Sequence, residues 1–297
     1  MAAPVVESNG TPVRESDLGD QILTLTKPAG TAEGDLLIAQ LEYNFVGTNY
    51  TSSGWTELIH EDRTSCSINI MYKVAGASEP ATYNFTADET AGSSMQGAIT
   101  RISGADGTSF DTPTGANTSG TSLTLPDATT TVDDSLVLRC IFSHGNVFSG
   151  GAQPAGHTVL WETVPASGTF TGQAWKNQAS AGSVGTVNWG GLDFSYGIVG
   201  VTVLIKPAVT GDITDIASTG DIAITGSDVE TFQITTQQGF VGQIGITGSN
   251  LTTLAFFPVL DTLNTGDISI TGSQLTSQVI EDITGVSPAL RIIMANF

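Results

Sequence analysis

Residues 27–44, KPAGTAEGDLLIAQLEYN, join a turn-rich segment to a run that is apolar at nearly every position. Strict alternation of apolar and polar residues is typical of a strand with one buried face, whereas a continuous apolar run is typical of a strand covered on both faces. The run that begins at Leu36 therefore predicts a central strand between two layers. Asp35, just before it, is either a binding or catalytic carboxylate at the mouth of this strand or part of the turn that begins it.

The composition extends the β-strand prediction to the whole chain of 297 residues. Short runs rich in Val, Ile, Leu, Thr and Tyr are separated by Gly, Asp, Asn, Ser and Pro, which is the pattern of strands and turns. No stretch has the Ala, Leu, Glu, Lys and Arg content that helices need. We therefore predict an all-β fold.

The first two thirds of the chain repeats itself with an offset of about 100 residues. The paired blocks are 22–41 with 122–141, 54–59 with 160–164, 71–85 with 174–189, and 97–105 with 200–208. Four blocks in one order predict two related halves of roughly seven strands each, at about 20–105 and 120–207. Two small sandwiches and one larger two-fold sandwich both satisfy this pattern for residues 1–207.

The repeat assigns roles to aromatic residues and to Asp35. It pairs Trp55 with Trp161, Tyr72 with Trp175 and Phe85 with Trp189, and positions kept in both halves indicate core packing. The counterpart of Asp35 is Ser135, and the apolar run after it is kept. Chemistry at Asp35 would exist in one half only, whereas a turn tolerates either residue. We therefore predict that Asp35 belongs to a turn that begins a core strand.

Residues 208–297 contain a different repeat, with the consensus GDIxITGS. Its units start at Thr219, Val241 and Thr265, and GDITDIAS at 211–218 reads as a degraded extra copy. Each unit alternates Ile with small polar residues and turns at Gly-Ser, so it predicts a strand, a turn and a return strand. One unit cannot bury its Ile row alone, so neighbouring units must stack in a small C-terminal β-repeat domain.

The formal net charge of −20 disfavours binding to nucleic acids and to anionic membranes. Its simplest meaning is solubility; sites for hard cations are the alternative, but no Ca²⁺-binding loop motif is present. Cys66 and Cys140 lie in strand-like runs and read as buried free thiols. The N-terminus has no secretory signal pattern and no apolar stretch is long enough to span a membrane, so we expect synthesis in the cytoplasm.

No motif for catalysis is present. The chain has no phosphate-binding loop and no nucleophile elbow. His60 and Asp62 would share one face of a strand, but one imidazole and one carboxylate make an incomplete metal site. His144 and His157 flank a Gly-rich loop, where zinc would need two further ligands. We therefore expect no enzyme activity, no cofactor and no metal site.

Aromatic residues in two long connections are the candidates for binding. In 42–54 and its equivalent, 142–157, rings lie among amide and hydroxyl side chains, a combination suited to sugars. The glycan-binding candidates are Tyr43, Phe45, Tyr50, Phe142 and Phe148. In the C-terminal domain, the candidates for contacts between subunits are Phe240, Phe256 and Phe257. A thin β-array gains a core by threefold association, so we favour a homotrimer.

The order PAGT…GDLLIA…GW…YKVA…EPATYNF…GA…ISGA, closing at VTVLIKPA, resembles a β-sandwich domain of tailed-phage and prophage structural proteins. The matching stretches are 28–39, 54–55, 72–85, 97–105 and 201–208. The resemblance covers about two thirds of the chain, carries no catalytic residues and leaves the C-terminal domain outside it. It implies a jelly-roll-like sandwich on a virion surface, in contact with other virion proteins of the capsid or tail.

Among the roles that this resemblance implies, we favour a head decoration, head fibre or spike over a tail fibre or receptor-binding protein. Loops on the virion surface would then be free to contact host glycans. The alternatives are a free carbohydrate-binding or adhesive module, and an enzyme such as a polysaccharide depolymerase. The depolymerase would need a carboxylate-lined groove.

Overall fold

The computed structural model describes residues 3–16, 21–88, 94–145, 153–163, 168–191, 196–208, 211–214, 222–236, 244–258, 266–272, 275–280 and 290–295. The chain divides into two compact units, Ala2–Pro207 and Ala208–Phe297, which we call the sandwich and the array. All regular secondary structure in the described ranges is β-strand, which confirms the predicted all-β fold.

The sandwich contains a first and a second half. The strands of the first half are β1 (Val5–Asn9), β2 (Val13–Glu15), β3 (Ile22–Thr26), β4 (Leu36–Tyr43), β5 (Tyr50–Thr51), β6 (Thr56–Arg63), β7 (Cys66–Val74), β8 (Thr82–Ala87) and β9 (Met95–Ser103). The strands of the second half are β10 (Ala105–Thr118), β11 (Leu123–Leu125), β12 (Thr129–Thr130), β13 (Ser135–His144), β14 (Thr158–Thr163), β15 (Thr169–Gln178), β16 (Gly182–Ser183), β17 (Val187–Trp189) and β18 (Gly197–Pro207).

Each half contributes one large antiparallel sheet, and the two sheets have the same strand order. The first is β1-β9-β4-β7-β6, with β2 also paired to β9, and the second is β10-β18-β13-β15-β14. Smaller sheets accompany them, β3-β8-β5 in the first half and β11-β17 and β12-β16 in the second. The two halves therefore share one topology, as their sequence echo predicts.

Three large apolar cores define the layers, and a smaller cluster of Ala128, Val137, Val184 and Leu204 lies beside β12 and β16. One core joins the first small sheet to the first large sheet through residues such as Leu23, Leu41 and Phe85. A second core joins the two large sheets and contains, among others, Leu36, Ile38, Ile68, Leu138, Phe142 and Val201. A third joins the second large sheet to β11 and β17, with Ile141, Phe170 and Trp189 among its members. The sandwich is thus one body of stacked sheets in which the large sheets share the central core.

Strand β4 lies at the centre of this arrangement. All eight residues of β4 are buried. Leu37, Leu41 and their neighbours on one face pack under the small sheet, whereas Leu36 and Ile38 on the other face pack against the second half. The prediction of a strand covered on both faces is confirmed.

Asp35 and Ser135 both close turns. Gly34 and Asp134, which precede them, have φ angles of 85° and 59°, in the left-handed region. Asp35 Oδ2 accepts hydrogen bonds from Ala32 N at 2.7 Å and from Arg101 Nε at 2.6 Å. The Ser135 hydroxyl donates to Val132 O at 2.9 Å. The carboxylate is used by the turn and by an ion pair within the first sheet, as the structural interpretation of Asp35 predicts.

The predicted equivalence of Trp55 and Trp161 is wrong. Thr56 pairs with Tyr72 and Thr158 pairs with Trp175, so Trp55 corresponds to His157 in strand register. Both edge strands carry a register shift at the same place, after Glu57 and after Val159. Trp161 therefore lies four residues beyond the true equivalent of Trp55, although the two short sequences around these tryptophans are similar. The predicted offsets of the neighbouring strands are correct.

The halves differ in what covers the outer face of the large sheet. In the first half Trp55 packs edge-on against Tyr83 and Phe85, with ring centroids 5.2 and 5.1 Å away. In the second half the fully buried side chain of Arg139 stands where the first half has Ala39. Its guanidinium donates to Pro126 O at 2.7 Å, to Gly185 O at 2.6 Å and to the Thr202 hydroxyl. A cation that binds carbonyls thus occupies space that aromatic rings fill in the first half.

The array is a stack of parallel strands. Its strands are β19 (Gly211–Thr214), β20 (Ile222–Thr236), β21 (Ile244–Pro258), β22 (Gly266–Gly272), β23 (Leu275–Ile280) and β24 (Leu290–Ala295). Ile222 pairs with Ile244 and Ile244 with Ile268, so equivalent positions of successive units lie side by side. The units stack as predicted, each pairing with the next.

Two details of the array differ from the sequence prediction. GDIT at 211–214 pairs with the second part of β20, Ile213 opposite Ile234, and so is not a further copy of the GDIxITGS strand. Conversely, β24 continues the ladder, with Ile292 opposite Ile268, although its sequence LRIIMA lacks the repeat's glycines. A match to the consensus sequence of the repeat therefore does not by itself show which strands pair in equivalent register.

Candidate functional site at one end of the sandwich

The connections that follow β4 and β13 lie at the same end of the sandwich. His144 Nδ1, at the end of β13, donates to the carbonyl of Ser65 in the β6–β7 turn at 3.0 Å. Thr169 at the start of β15 donates to Gln96 Oε1 at the start of β9, at 3.3 Å. Both contacts join the two halves, so we call the described residues around them, 44–49, 64–65, 144–145 and 196, the loop end.

Three of the predicted glycan-binding rings are inside the protein. Tyr43, Tyr50 and Phe142 are 0%, 3% and 1% exposed. The Tyr43 hydroxyl donates to Gln21 Oε1 at 2.8 Å and the Tyr50 hydroxyl to the carbonyl of Glu42 at 2.9 Å. Their faces are packed in the apolar cores, so these three residues cannot stack on a sugar, and the prediction is corrected for them.

The remaining predicted residues have different outcomes. Phe45 is half-buried against the first core and keeps part of its surface at the loop end. Phe148 and Phe240 lie outside the described residues. Phe256 and Phe257 belong to β21, where Phe256 pairs with Ile234 and with Ile280. The described backbone places these last two phenylalanines within the stack, and their role in subunit contacts stays a prediction.

A network of polar side chains holds the first connection in place. Asp62 Oδ1 accepts hydrogen bonds from Gly47 N at 3.0 Å and contacts His60 Nε2 at 2.8 Å. His60 Nδ1 lies 3.0 Å from Asn49 Oδ1, and the Asn49 amide donates to Asp88 Oδ2 at 3.0 Å. Both ring nitrogens of His60 therefore have a partner within this network. This network fixes the shape of residues 47–49 and uses the imidazole and the carboxylates that a metal site would need.

An exposed aromatic ring on the second half was missed by the sequence reasoning. Tyr196 is 61% exposed, and no other aromatic side chain among the described residues is classed as exposed. Its ring lies 5.7 Å from that of His144 and against Gly145, where an added Cβ would collide with the ring. Burial lowers the pKa of His144, while its hydrogen bond to Ser65 acts in the opposite direction. A neutral imidazole and a glycine therefore support the tyrosine ring.

A signal for Tyr196 was available in the repeat. At the offset of 103 residues that relates Gly97 to Gly200, its counterpart is Ser93. An aromatic present in one half only is not required by the shared core. The same criterion selected Tyr43 and Phe45, but it was applied to the connections after β4 and β13 and not to the one before β18.

The two cysteines and the possible metal ligands were also predicted from the sequence. Cys66 and Cys140 are buried free thiols, as predicted, and burial raises the pKa of Cys66 to about 12 and that of Cys140 further. Within the described ranges, no group of three or more His, Cys, Asp or Glu side chains is arranged to hold a metal ion. The same ranges contain no helix able to cross a membrane.

Comparison of the chain with known protein families, with curated proteins and with solved structures found no match.

Proposed function

We propose that this chain is a non-enzymatic structural protein of the surface of a tailed phage or phage-like particle. In this proposal a jelly-roll-like sandwich and a C-terminal array act as a head decoration, head fibre or spike, made in the host cytoplasm and assembled onto the virion. The observation that carries the proposal is the duplicated sandwich, a body of stacked sheets in which the two large sheets share a central core. Such a body is a rigid support for surface loops.

The residues that carry the resemblance to phage structural proteins support this proposal. GD at 34–35 forms the turn that begins β4, and Trp55, Tyr83 and Phe85 form one aromatic cluster beneath the first small sheet. These are positions of turns and of core packing, which a family of structural proteins keeps for stability. The net charge of −20 also suits a particle surface that must not adhere to nucleic acid during assembly.

The location on assembled particles tests this proposal. Antibodies against the purified protein would be used for immunogold labelling of intact particles, isolated capsids and isolated tails. Labelling of capsids supports the head role. Labelling confined to tails overturns it in favour of a tail fibre, and particles without label overturn the virion assignment altogether.

Contact of the loop end with host glycans is the second part of the proposal. Tyr196 supports it, because an exposed ring backed by a glycine can stack on the apolar face of a sugar, and Phe45 retains exposed surface at the same end. The test is a glycan array with the wild type and with Tyr196→Ala. Val74→Ala is the matched control, because Val74 is 38% exposed at the opposite end of β7. Equal binding by both variants removes Tyr196 from the contact, and no binding by the wild type removes the glycan role.

Association as a homotrimer belongs to the same proposal. The parallel stack of the array presents equivalent positions of its units in rows, which suits packing between copies of the chain. Light scattering on the full chain at micromolar concentration checks this. A monomer would contradict the trimer without affecting the location on the virion.

A further inference from the structure

A buried polar seam interrupts the apolar core between the two large sheets. Gln40 and Glu42 of β4 meet Thr171 and Gln173 of β15, and Thr100 of β9 joins them. Gln173 Nε2 donates to Gln40 Oε1 at 3.1 Å, and the Thr100 hydroxyl donates to Gln173 Oε1 at 2.5 Å. All five side chains are at most 1% exposed, so the seam is closed to solvent.

Glu42 is the acidic member of this seam and has only neutral hydrogen-bond donors. Its Oε1 accepts from Gln40 Nε2 at 2.5 Å and from the Thr171 hydroxyl at 2.5 Å. Its Oε2 is buried and has no hydrogen-bond partner. The exposed fraction of the residue is 0%. An ionised carboxylate here would lose its hydration and gain two neutral hydrogen bonds in return.

The nearest charged side chains on the same face of the sheet are two strands away. Glu42 pairs with Gln96 on β9 and with Ile68 on β7. Gln96 in turn pairs with Arg14, and Ile68 with Glu61. Two strand spacings put Arg14 and Glu61 each roughly 10 Å from Glu42. Among the described residues, no ion pair includes Glu42. The other titratable side chains that face the central core from the surrounding strands are Cys66, Tyr72, Arg63, Cys140 and His144. The Tyr50 hydroxyl also lies close, because it donates to the carbonyl of Glu42.

This environment favours the protonated acid. A buried carboxylate without a cation costs so much free energy that it takes up a proton. Burial raises the pKa of Glu42 from 4.5 to about 8, although its hydrogen bonds with Thr171 and Gln40 act in the opposite direction. The geometry leads to the same conclusion on its own, because one oxygen is unpartnered and both donors are neutral.

We propose that Glu42 is an uncharged acid in the folded sandwich at neutral pH, and that the docking of the two large sheets requires its proton. Loss of that proton places a charge in the seam, which loosens the contact between β4 and β15. This dependence of sheet docking on the Glu42 proton goes beyond the proposed function, because it concerns the sandwich itself and needs no particle or ligand.

The repeat shows that this acid is a departure from the shared core pattern. Phe142 is the counterpart of Glu42, and Cys140 is the counterpart of Gln40, and both lie in the apolar part of the same core. An apolar side chain is therefore compatible with this depth of the fold. The central core thus contains an acid, Glu42, in the first half and a phenyl ring, Phe142, at the equivalent position in the second half.

Thermodynamic linkage gives the test its sign. Folding binds one proton at Glu42 between pH 4.5 and about 8, so this contribution to stability is complete below pH 4.5 and is lost as pH rises to about 8. In that window the unfolding constant of the wild type, divided by that of Glu42→Gln, should rise about tenfold per pH unit. Denaturant unfolding followed by tryptophan fluorescence measures it in the full chain, because all four tryptophans lie in the sandwich.

Glu57→Gln is the matched control, since Glu57 is exposed on β6 and its variant should follow the wild type at every pH. Parallel curves for the wild type and Glu42→Gln would overturn the proposal. If Glu42→Gln does not fold, infrared spectroscopy of the wild type decides. A band of a protonated carboxylic acid in the folded protein at pH 7, lost on unfolding, supports the proposal, and its absence refutes it.

Discussion

Gly97 on β9 and Gly200 on β18 occupy the same position in the two halves and keep the same contacts. Gly97 pairs with Leu41, and Gly200 pairs with Ile141. A Cβ at Gly97 would collide with the carbonyl of Gln40 and lie 3.3 Å from the side chain of Leu23. A Cβ at Gly200 would lie 2.8 Å from Leu123 and 2.9 Å from the carbonyl of Cys140. Each glycine lets a leucine of the small sheet approach the large sheet.

Replacing either glycine by alanine should therefore destabilise the sandwich. The added methyl group has to displace a carbonyl or a packed leucine, and such overpacking costs about 1–3 kcal/mol. We expect Gly97→Ala and Gly200→Ala each to lose stability in this range in denaturant unfolding. Gly76→Ala is the control, because a Cβ there would meet only Glu79 Oε1 at an ordinary 3.6 Å. Equal stability of all three variants would contradict the close approach.

The two turns before β4 and β13 allow a second prediction. Asp35→Ala removes an acceptor from Ala32 N and an ion pair with Arg101, so we expect a loss of about 2–3 kcal/mol. Ser135→Ala removes one hydrogen bond and should lose about 1 kcal/mol. Thermal unfolding of both variants measures the difference. A stable Asp35→Ala protein that has lost a binding activity would restore the functional interpretation of Asp35.

Arg139 supplies a third prediction. Arg139→Met leaves the carbonyl of Gly185 and the Thr202 hydroxyl without this donor, and the carbonyl of Pro126 with the Thr202 hydroxyl alone, so the free energy of unfolding should fall by about 3 kcal/mol. Arg139→Lys keeps the charge but not the planar fork, and should recover only part of this loss. Chemical denaturation of the two variants tests the prediction. Full recovery with lysine would show that charge alone matters there.

Division of the chain gives a fourth prediction. The described apolar cores of the sandwich are built from its own residues, so a chain ending at Ala208 should fold by itself. Tryptophan fluorescence reports on this unit alone, and its unfolding midpoint should equal that of the full chain. A lower midpoint, or aggregation of the shortened chain, would show that the sandwich depends on residues of the array.

Much of the sandwich could be predicted from the sequence, because the residues that repeat between its halves are mainly apolar strand residues. The continuous run from Leu36 predicted a strand covered on both faces, and the offset between Gly97 and Gly200 predicted two halves with one topology. Burial of Gln40 and Glu42 could not be predicted from that run, since periodicity identifies a face and not the layer that covers it. Only the partner strand β15 shows that these polar side chains are enclosed.

The candidate site was less accessible to sequence reasoning. Tyr43 and Tyr50 lie in or near a connection rich in polar residues, which favoured a surface role, yet both rings turn back into the first core. Their hydroxyls find partners within the fold, so the polar end of each ring is satisfied without solvent. The ring of Tyr196 is held by contacts with His144 and Gly145, which lie about 50 residues earlier in the sequence. A contact between such distant segments cannot be predicted from the residues around Tyr196.

The shared central core bears on how such a chain can arise. A single half, synthesised alone, would present the apolar face of its large sheet to water and would be soluble only as a dimer of identical copies. Tandem duplication and fusion of the gene turns that homodimer into one polypeptide. The two faces then stop being copies of each other, and each can mutate on its own. A duplication of this kind would account for Glu42 at the position equivalent to Phe142, and for Arg139 at the position equivalent to Ala39.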